Sequence, residues 1–415
     1  MVVMRLLHTS DWHLGHTLNG RSRQREFEKF LAWILKLIEN ENVDVLLIVG
    51  DVFDTSSPSP SVQKMYYDFL REVSQYCRQT VIVAGNHDSS LLLDAPRDLL
   101  QSLNIHVVGA ANEANEWLVI QDEQGTATML IGAVPFLRDR DLRQSEAGES
   151  IETREQKNIA GLKRHYLDLC RRAEEFRNEN GKEIPLVVTG HLFVRGGQTS
   201  EGVRELHVGN LGQFGTDVFP ANIDYLALGH LHIPQLVDGS EVRRYSGSPL
   251  PISFDEASQQ KYVLLVDFDG RTPKVRKIDV PTTTFANLVS IRGGLSDIEA
   301  ALKALKPTEA DTYVDITYDD QEAIADLWGE INRWNVSNID ILRVRNEREF
   351  KQVGLRTIAT EMLQDLDPVE VFRRLIAEQR EQKKNINVAD EAELFAAFQE
   401  ILEDVRQDTT RTMMV

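Results

Sequence analysis

The sequence predicts an α/β fold: two packed sheets flanked by helices, then a small α/β domain and a pair of C-terminal helices. Three observations predict it. Short, wholly apolar runs recur in the first 230 residues, and each stops at a glycine. Amphipathic stretches with apolar residues at spacings of three and four separate the early runs. Near Pro281 the rhythm shortens to strand, helix, strand, helix, strand within about 65 residues.

The runs are "VDVLLIVGD" (Gly50, Asp51), "TVIVAGN" (Gly85, Asn86), "PLVVTGH" (Gly190, His191) and "DYLALGH" (Gly229, His230). Their length and β-branched content read as strands buried on both faces, because neither face alternates to polar residues. Between the early ones, "SRQREFEKFLAWILKLIENEN" sets Phe27, Phe30, Leu31, Ile34, Leu35 and Ile38 on one helical face, and "SVQKMYYDFLREVSQYC" behaves alike. Strands alternating with helices give an α/β sheet, and in such sheets ligands gather beyond the carboxyl ends of the strands. The terminal glycine permits positive φ or a close backbone approach, so the next side chain can turn into a shared cavity. "RRYSGSPLPISF" and "KYVLLVDFDG", with fewer helices around them, suggest a second sheet packed on the first.

After Pro281, "FANLVSIRGG", "LSDIEAALKALK", "DTYVDITYDD", "QEAIADLWGEINRW" and "NIDILRVRNE" predict a small α/β domain without histidine. The expected division is residues 1–280, 281–346 and 347–415. In the last part "EREFKQVGLRTIATEMLQ" carries no clear signal, whereas Asp367 and Pro368 form the start of a helix. A final helix carries the stripe Leu394, Phe395, Phe398, Ile401, Leu402 and Val405. Such helices can fold back on the body or dock another chain; acidic residues outside the stripe and a polar tail favour docking.

At 415 residues, two or three domains are expected. No apolar run approaches the roughly 18 residues of a membrane helix. The N-terminus meets polar residues by His8, so neither a signal peptide nor a membrane anchor is expected and a cytoplasmic protein is. Cys77 and Cys170 belong to no CxxC or zinc spacing and read as reduced thiols. A net charge of −19, from 46 basic and 65 acidic residues, argues against nucleic-acid binding through the overall field. It does not exclude such binding, because metal can neutralise several of those carboxylates and a partner subunit can supply the basic surface.

The polar residues at strand ends form one set: Asp11 and His13 in "SDWH", Asp51, Asn86, His191, and His230 with His232 in "GHLH". In an extended segment residues i and i+2 face the same way, so each DxH or HxH pair is expected to point into one cavity. Carboxylates, a side-chain carbonyl and imidazoles without thiolate suit manganese or iron better than a closed zinc site. Four imidazoles make magnesium the poorest match. Seven donors exceed one tetrahedral site and fit two ions about 3.5 to 4 Å apart, bridged by Asp51.

These residues resemble the signature of the calcineurin-like metallophosphoesterases, D-x-H, G-D-x-x-D, G-N-H-[DE], G-H and G-H-x-H. Here it reads Asp11 to His13, Gly50 to Asp54, Gly85 to Asp88, Gly190 to His191 and Gly229 to His232. "MRLLHTSDWHLGHTL", "GDVFDTSSPSP", "VPFLRDRD", "ALGHLHIPQ" and "YSGSPLPISFDE" narrow the resemblance to the family of bacterial DNA double-strand-break repair nucleases. The resemblance implies a metal-dependent nuclease, endonucleolytic on single strands and exonucleolytic on double-strand ends and hairpins, serving DNA repair, recombination and replication. The small domain would be a capping domain, and the terminal helices would bind the coiled-coil base of an SbcC-type SMC-like ATPase. Two such nuclease chains would pair as a homodimer within a heterotetramer associated with the nucleoid. The cofactors implied are two divalent ions, manganese first and magnesium second, with ATP acting only through the partner.

The resemblance also divides the donors. One ion would take Asp11, His13, Asp51 and His232, and the other Asp51, Asn86, His191 and His230. His87 would bind no metal but would give the leaving oxygen a proton, with the Asp54 side chain holding its tautomer, and Asp88 would orient the loop. For DNA, Arg21, Arg23 and Arg25, Arg138, Arg140 and Arg143 are candidate phosphate contacts, and His16 is close enough to "DWH" to touch substrate. No interleaved aromatics suggest a single-strand platform.

Two other functions share parts of this pattern. A phosphatase or phosphodiesterase acting on nucleotides or phosphoproteins would keep the same metal set, but has little use for the cap and terminal helices. A non-catalytic scaffold would be expected to lack donors, and none is missing.

Overall fold

In a computed structural model the described residues are 4–347, apart from 113, 145–148, 201–213, 306–309, 321–323, 325 and 335–338. The expected helices after Asp367, and with them the ATPase docking site, lie outside the described residues.

Strand β1 (Met4–Thr9) leads to a short hairpin, β2 (Thr17–Leu18) and β3 (Arg21–Ser22). Helix α1 (Gln24–Glu41) buries Phe27, Phe30, Leu31, Ile34 and Ile38, the stripe its spacing requires, and stops where Asn42 turns left-handed at φ +50°. β4 (Val45–Val49) is buried throughout. α2 (Pro60–Val73) opens with Ser59 accepting from the Val62 N–H and with Pro60, whose missing N–H costs nothing in the first turn. β5 (Gln79–Val83), short helices α3 (Ser90–Asp94) and α4 (Arg97–Gln101), and β6 (Ile105–Val108) follow.

The second half of the sandwich begins with β7 (Trp117–Gln121), β8 (Ala127–Gly132) and the short α5 (Asp139–Leu142). Helix α6 (Ile151–Asn180) then precedes β9 (Leu186–His191). The sequence reading does not anticipate α6, because its many charged residues dilute the stripe Leu162, Tyr166, Leu169 and Ala173 that it buries. β10 (Tyr225–Gly229), β11 (Gln235–Val237), β12 (Ser240–Tyr245), β13 (Tyr262–Asp269) and β14 (Thr272–Asp279) complete the body.

Among the described residues two six-stranded sheets result, in the orders β14-β13-β1-β4-β5-β6 and β11-β12-β10-β9-β8-β7. Strands β1, β4, β5 and β6 run parallel, as do β8, β9, β10 and β12, and antiparallel strands close every edge except that at β6. Leu6, Val45, Leu47 and Val81 of one sheet meet Ile131, Val187 and Ala227 of the other in a shared core. The outer faces pack on α1 and α2 through Leu46, Ile48 and Ile82, and on α6 through Leu130 and Val188. Burial on both faces is why these strands are apolar without alternation. Removing one of their large side chains, as in Leu47→Ala, is expected to cost about 2–5 kcal/mol.

Beyond α7 (Thr282–Phe285) come β15 (Ala286–Gly293), α8 (Leu295–Ala304), β16 (Asp311–Tyr318), α9 (Leu327–Asn332) and β17 (Ile339–Asn346). The three strands form a parallel sheet in that order, with α8 and α9 on one face over Ile291, Val314 and Ile316. The other face sets Leu288, Tyr313 and Leu342 against Leu18 and Phe254 of the body. An Arg21–Asp340 ion pair at 2.9 Å joins the same surfaces. Residues up to Glu347 therefore form one compact unit.

Candidate metal centre

The carboxyl ends of the parallel strands of both sheets converge on one cavity. Asp11 follows β1, Asp51 follows β4, Asn86 follows β5, His191 ends β9 and His230 follows β10. The expectation that Asp11 with His13, and His230 with His232, share a direction along extended chain is corrected. Asp11, His13, Asp51 and His230 have φ of +52°, +47°, +48° and +99°, so each strand has already ended in a left-handed turn. Such backbone is uncommon in residues with a Cβ and persists where packing imposes it, often at functional sites. Gly85 serves by close approach: a Cβ there would stand 2.1 Å from Asp51 Oδ1.

All seven expected donors meet, in two groups. Oxygen or nitrogen atoms of Asp11, His13 and His232 lie within 4.8 Å of one another, and so do those of Asp51, His191 and His230. His13 Nε2 faces His232 Nε2 at 3.1 Å. Asp51 Oδ2 stands 3.2 Å from His191 Nε2 and 3.7 Å from His13 Nε2, between the groups. Asn86 Oδ1 lies 3.1 Å from His191 Nε2 and 3.0 Å from His230 Nδ1. His230 and His232 thus serve different groups.

Three of the four rings also face a neighbour on the side away from the cluster. His191 Nδ1 donates to the Val49 carbonyl at 3.1 Å, so in the neutral ring Nε2 is the nitrogen that can offer a lone pair to a metal. His13 Nδ1 has Asp54 Oδ1, and His232 Nδ1 has Glu256 Oε1, each at 3.3 Å. These two contacts are loose, since both Nδ1 atoms are buried without a well-aligned hydrogen-bond partner.

Burial opposes ionisation of Asp51, yet His191 and the other imidazoles outweigh it and hold the carboxyl well below the usual range. Burial also disfavours a charged His191, but Asp51 raises it to about 9. Burial and the neighbouring His191 push His230 down to about 3. The carboxylate, amide and imidazole atoms of this buried cluster converge at 3.0–3.7 Å, a polar set close enough to share cations. The donor set therefore fits divalent metal, with oxygen and imidazole ligands and no thiolate.

His87 lies beside this cluster, its ring edge-to-face with that of His13 at 4.7 Å. Its N–H donates to Asp51 Oδ1 at 2.8 Å, and its Nδ1 donates to the main-chain carbonyl of Asp54 at 2.8 Å. The expectation that the Asp54 side chain orients His87 is refined: the Asp54 main chain accepts from Nδ1, while the carboxylate, within 4.8 Å of ring nitrogens of His87 and His13, meets His16 Nδ1 at 3.0 Å. Burial opposes its ionisation, but His13 and His16 keep it far below the ordinary carboxylate range. Asp88 accepts from the N–H groups of Gly85, Val52 and Phe53 at 2.9–3.1 Å and so ties two donor loops together. Burial and Asp51 nevertheless push it up to about 6.

Among the expected DNA contacts, Arg23 is corrected. Its side chain is 0% exposed, paired with Glu26 at 2.5 Å and donating to the Pro251 carbonyl. Arg143 is likewise enclosed by Asp139 and Glu149. His16 is corrected too, because both ring nitrogens are taken, by Asp54 and by the Ile252 carbonyl at 3.0 Å. Arg21 is half exposed but paired with Asp340, Arg25 and Arg140 are exposed, and Arg138 is partly buried. Sequence reasoning missed Glu256 and Lys261, a fully buried pair 2.6 Å apart behind His232. No sequence signal marks them, because the approach to β13, "SFDEASQQK", is polar apart from Phe254 and Ala257.

Residues 4–234 match the calcineurin-like phosphoesterase family, and residues 284–380 match the type 5 capsule protein repressor C-terminal domain family. In Escherichia coli strain K12, the protein named as the D subunit of nuclease SbcCD is 36% identical over 382 residues, 90% of this chain and 93% of its own length. Proteins of the same name from Rhodobacter capsulatus and Bacillus subtilis are 37% and 34% identical. They cover 64% of this chain in both cases, and 67% and 66% of their own lengths. The phosphoesterase match contains every strand end that supplies a donor, and the Escherichia coli alignment runs through the small β15–β17 domain and beyond it. The chain belongs to the SbcD family of nuclease subunits, within the calcineurin-like phosphoesterases.

Proposed function

We propose that the protein is a metal-dependent DNA nuclease that hydrolyses phosphodiester bonds in single strands, double-strand ends and hairpins with an SbcC-type ATPase. The observation that carries this is the meeting of the two donor groups at Asp51. Asp11, His13, Asp51 and His232 would hold one divalent ion, and Asp51, Asn86, His191 and His230 the other. Manganese suits the mixed oxygen and imidazole set best. When bound, the ions supply Lewis acidity to the scissile phosphate and lower the pKa of water so that hydroxide is available near neutral pH.

The chain's own residues do the rest. Asp51 holds the two halves in register, and the carbonyl of Val49 fixes the His191 tautomer. His87, with Nδ1 committed to the Asp54 carbonyl, exchanges its proton at Nε2, from which the leaving 3′ oxygen is protonated. Asp88 keeps the loop that carries Asn86 and His87 against the loop that carries Asp51. The exposed Arg140, with Arg138 beside it, is the remaining candidate for phosphate contact near α5. The small domain built on β15–β17 would cap the site. Residues 347–415 would bind the base of the ATPase coiled coil, in a heterotetramer with two copies of each chain working at the nucleoid in the cytoplasm.

Hairpin and blunt-ended DNA incubated with the protein, with and without the ATPase, in manganese or magnesium, tests the reading. Cleavage in manganese that EDTA abolishes is expected. Intact DNA together with ready hydrolysis of small nucleotide esters would replace it with a small-molecule phosphodiesterase.

A further inference from the structure

The two donor groups are backed differently. In the Asp11, His13 and His232 group, the Nδ1 of each imidazole faces a carboxylate, Asp54 or Glu256, at 3.3 Å. In the other group, His191 Nδ1 faces the neutral carbonyl of Val49. A carboxylate behind an imidazole orients the ring and raises its basicity more than a neutral carbonyl does, and such outer partners tune metal affinity.

Glu256 is built for that task. It is fully buried, and besides His232 it meets Lys261 Nζ at 2.6 Å, Ser200 Oγ at 2.6 Å and the Ile252 N–H at 3.1 Å. Lys261 turns back to donate to the main-chain carbonyl of His232 at 2.9 Å. One buried ion pair therefore stands behind the ring and holds the backbone of a single donor. A second brace from the same segment reaches Asp11: Ser246 bonds Ser10 at 2.7 Å, and Ser10 donates to Asp11 Oδ2 at 2.5 Å. Both braces from residues 246–261 thus end on donors of the same group.

We propose that the two cation positions are unequal, and that Glu256, locked against Lys261, is the positioning residue that makes the Asp11–His13–His232 position the tighter one. This rests on the two-ion reading of the site. The inequality gives the protein a state with one ion bound at low metal, and Glu256 controls how far apart the two binding steps lie.

Manganese titrated into the metal-depleted full-length protein, followed by calorimetry and by electron paramagnetic resonance, provides the test. The wild type is expected to bind two ions in separate steps, and Asn86→Ala to weaken only the second. Glu256→Gln should weaken the first step by about 10–100-fold and leave the second unchanged, so the steps converge. Because Glu256→Gln leaves Lys261 buried without its partner, Glu256→Gln/Lys261→Met removes both charges and should show the same selective loss. Two equal steps in the wild type, or a folded double variant with both affinities intact or both equally reduced, would overturn the proposal. A wild type that binds no manganese would instead overturn the two-ion reading beneath it.

Discussion

The main-chain carbonyl of Asp54, not its carboxylate, receives the Nδ1 proton of His87, at 2.8 Å. A backbone acceptor carries no titratable group and survives side-chain replacement. His87→Ala should therefore keep both manganese ions and lose about 10²–10⁴-fold in cleavage, the usual worth of a positioned general acid. Asp54→Ala should leave His87 in place and act through His13 and His16 instead, lowering manganese affinity. Metal binding and cleavage measured on both variants distinguish the two effects; equal metal loss in both would sink the division of roles.

Asp51 stands between the groups, so its carboxylate cannot be neutralised without disturbing each. Asp51→Asn should lower affinity at both metal positions and abolish cleavage, whereas Asn86→Ala should spare one position. Counting bound manganese after gel filtration checks this, and two ions retained in Asp51→Asn would contradict it.

The seven donors were legible because each follows an apolar run that ends at a glycine or opens a short polar motif. The sandwich was legible because strands covered on both faces cannot alternate. What stayed hidden depends on contacts made far along the chain. Glu256 and Lys261 read as ordinary surface charges until folding buries them beside His232. Arg23 has the same composition-level signature as Arg25, yet one is enclosed by Glu26 and Pro251 and the other faces solvent. The Asp54 carbonyl carries no side-chain signal at all.

His8 makes the fold sensitive to acid. Burial between the sheets pushes its pKa down to about 3, while the unfolded chain would have the ordinary value of 6.5. Below about pH 6.5 the unfolded chain binds a proton that the fold refuses, so stability is full above that pH and falls as pH drops toward 3. Between pH 7.5 and 5 the loss from this one group is about 2 kcal/mol. Denaturant unfolding of metal-depleted wild type and His8→Phe at the two pH values should show the wild type losing more by that amount. Losing its hydrogen bond to Tyr225 would shift His8→Phe by a constant and leave the slope to report the proton.

Arg23 and Arg140 stand near the expected DNA path in sequence but differ in burial, and the difference predicts opposite phenotypes. Arg23 is enclosed and holds Glu26 and the Pro251 carbonyl, so Arg23→Ala leaves a buried carboxylate unpaired and should cost about 3–5 kcal/mol. Arg140 is 74% exposed, with Asp141 no nearer than 3.8 Å, so Arg140→Ala should leave stability within about 0.5 kcal/mol. If Arg140 contacts a phosphate, its loss should instead weaken DNA binding uniformly across sequences and reduce the salt slope by about 1. Thermal melts and binding at several salt concentrations separate the two. A folded Arg23→Ala that loses DNA affinity with unchanged melting would return Arg23 to the interface.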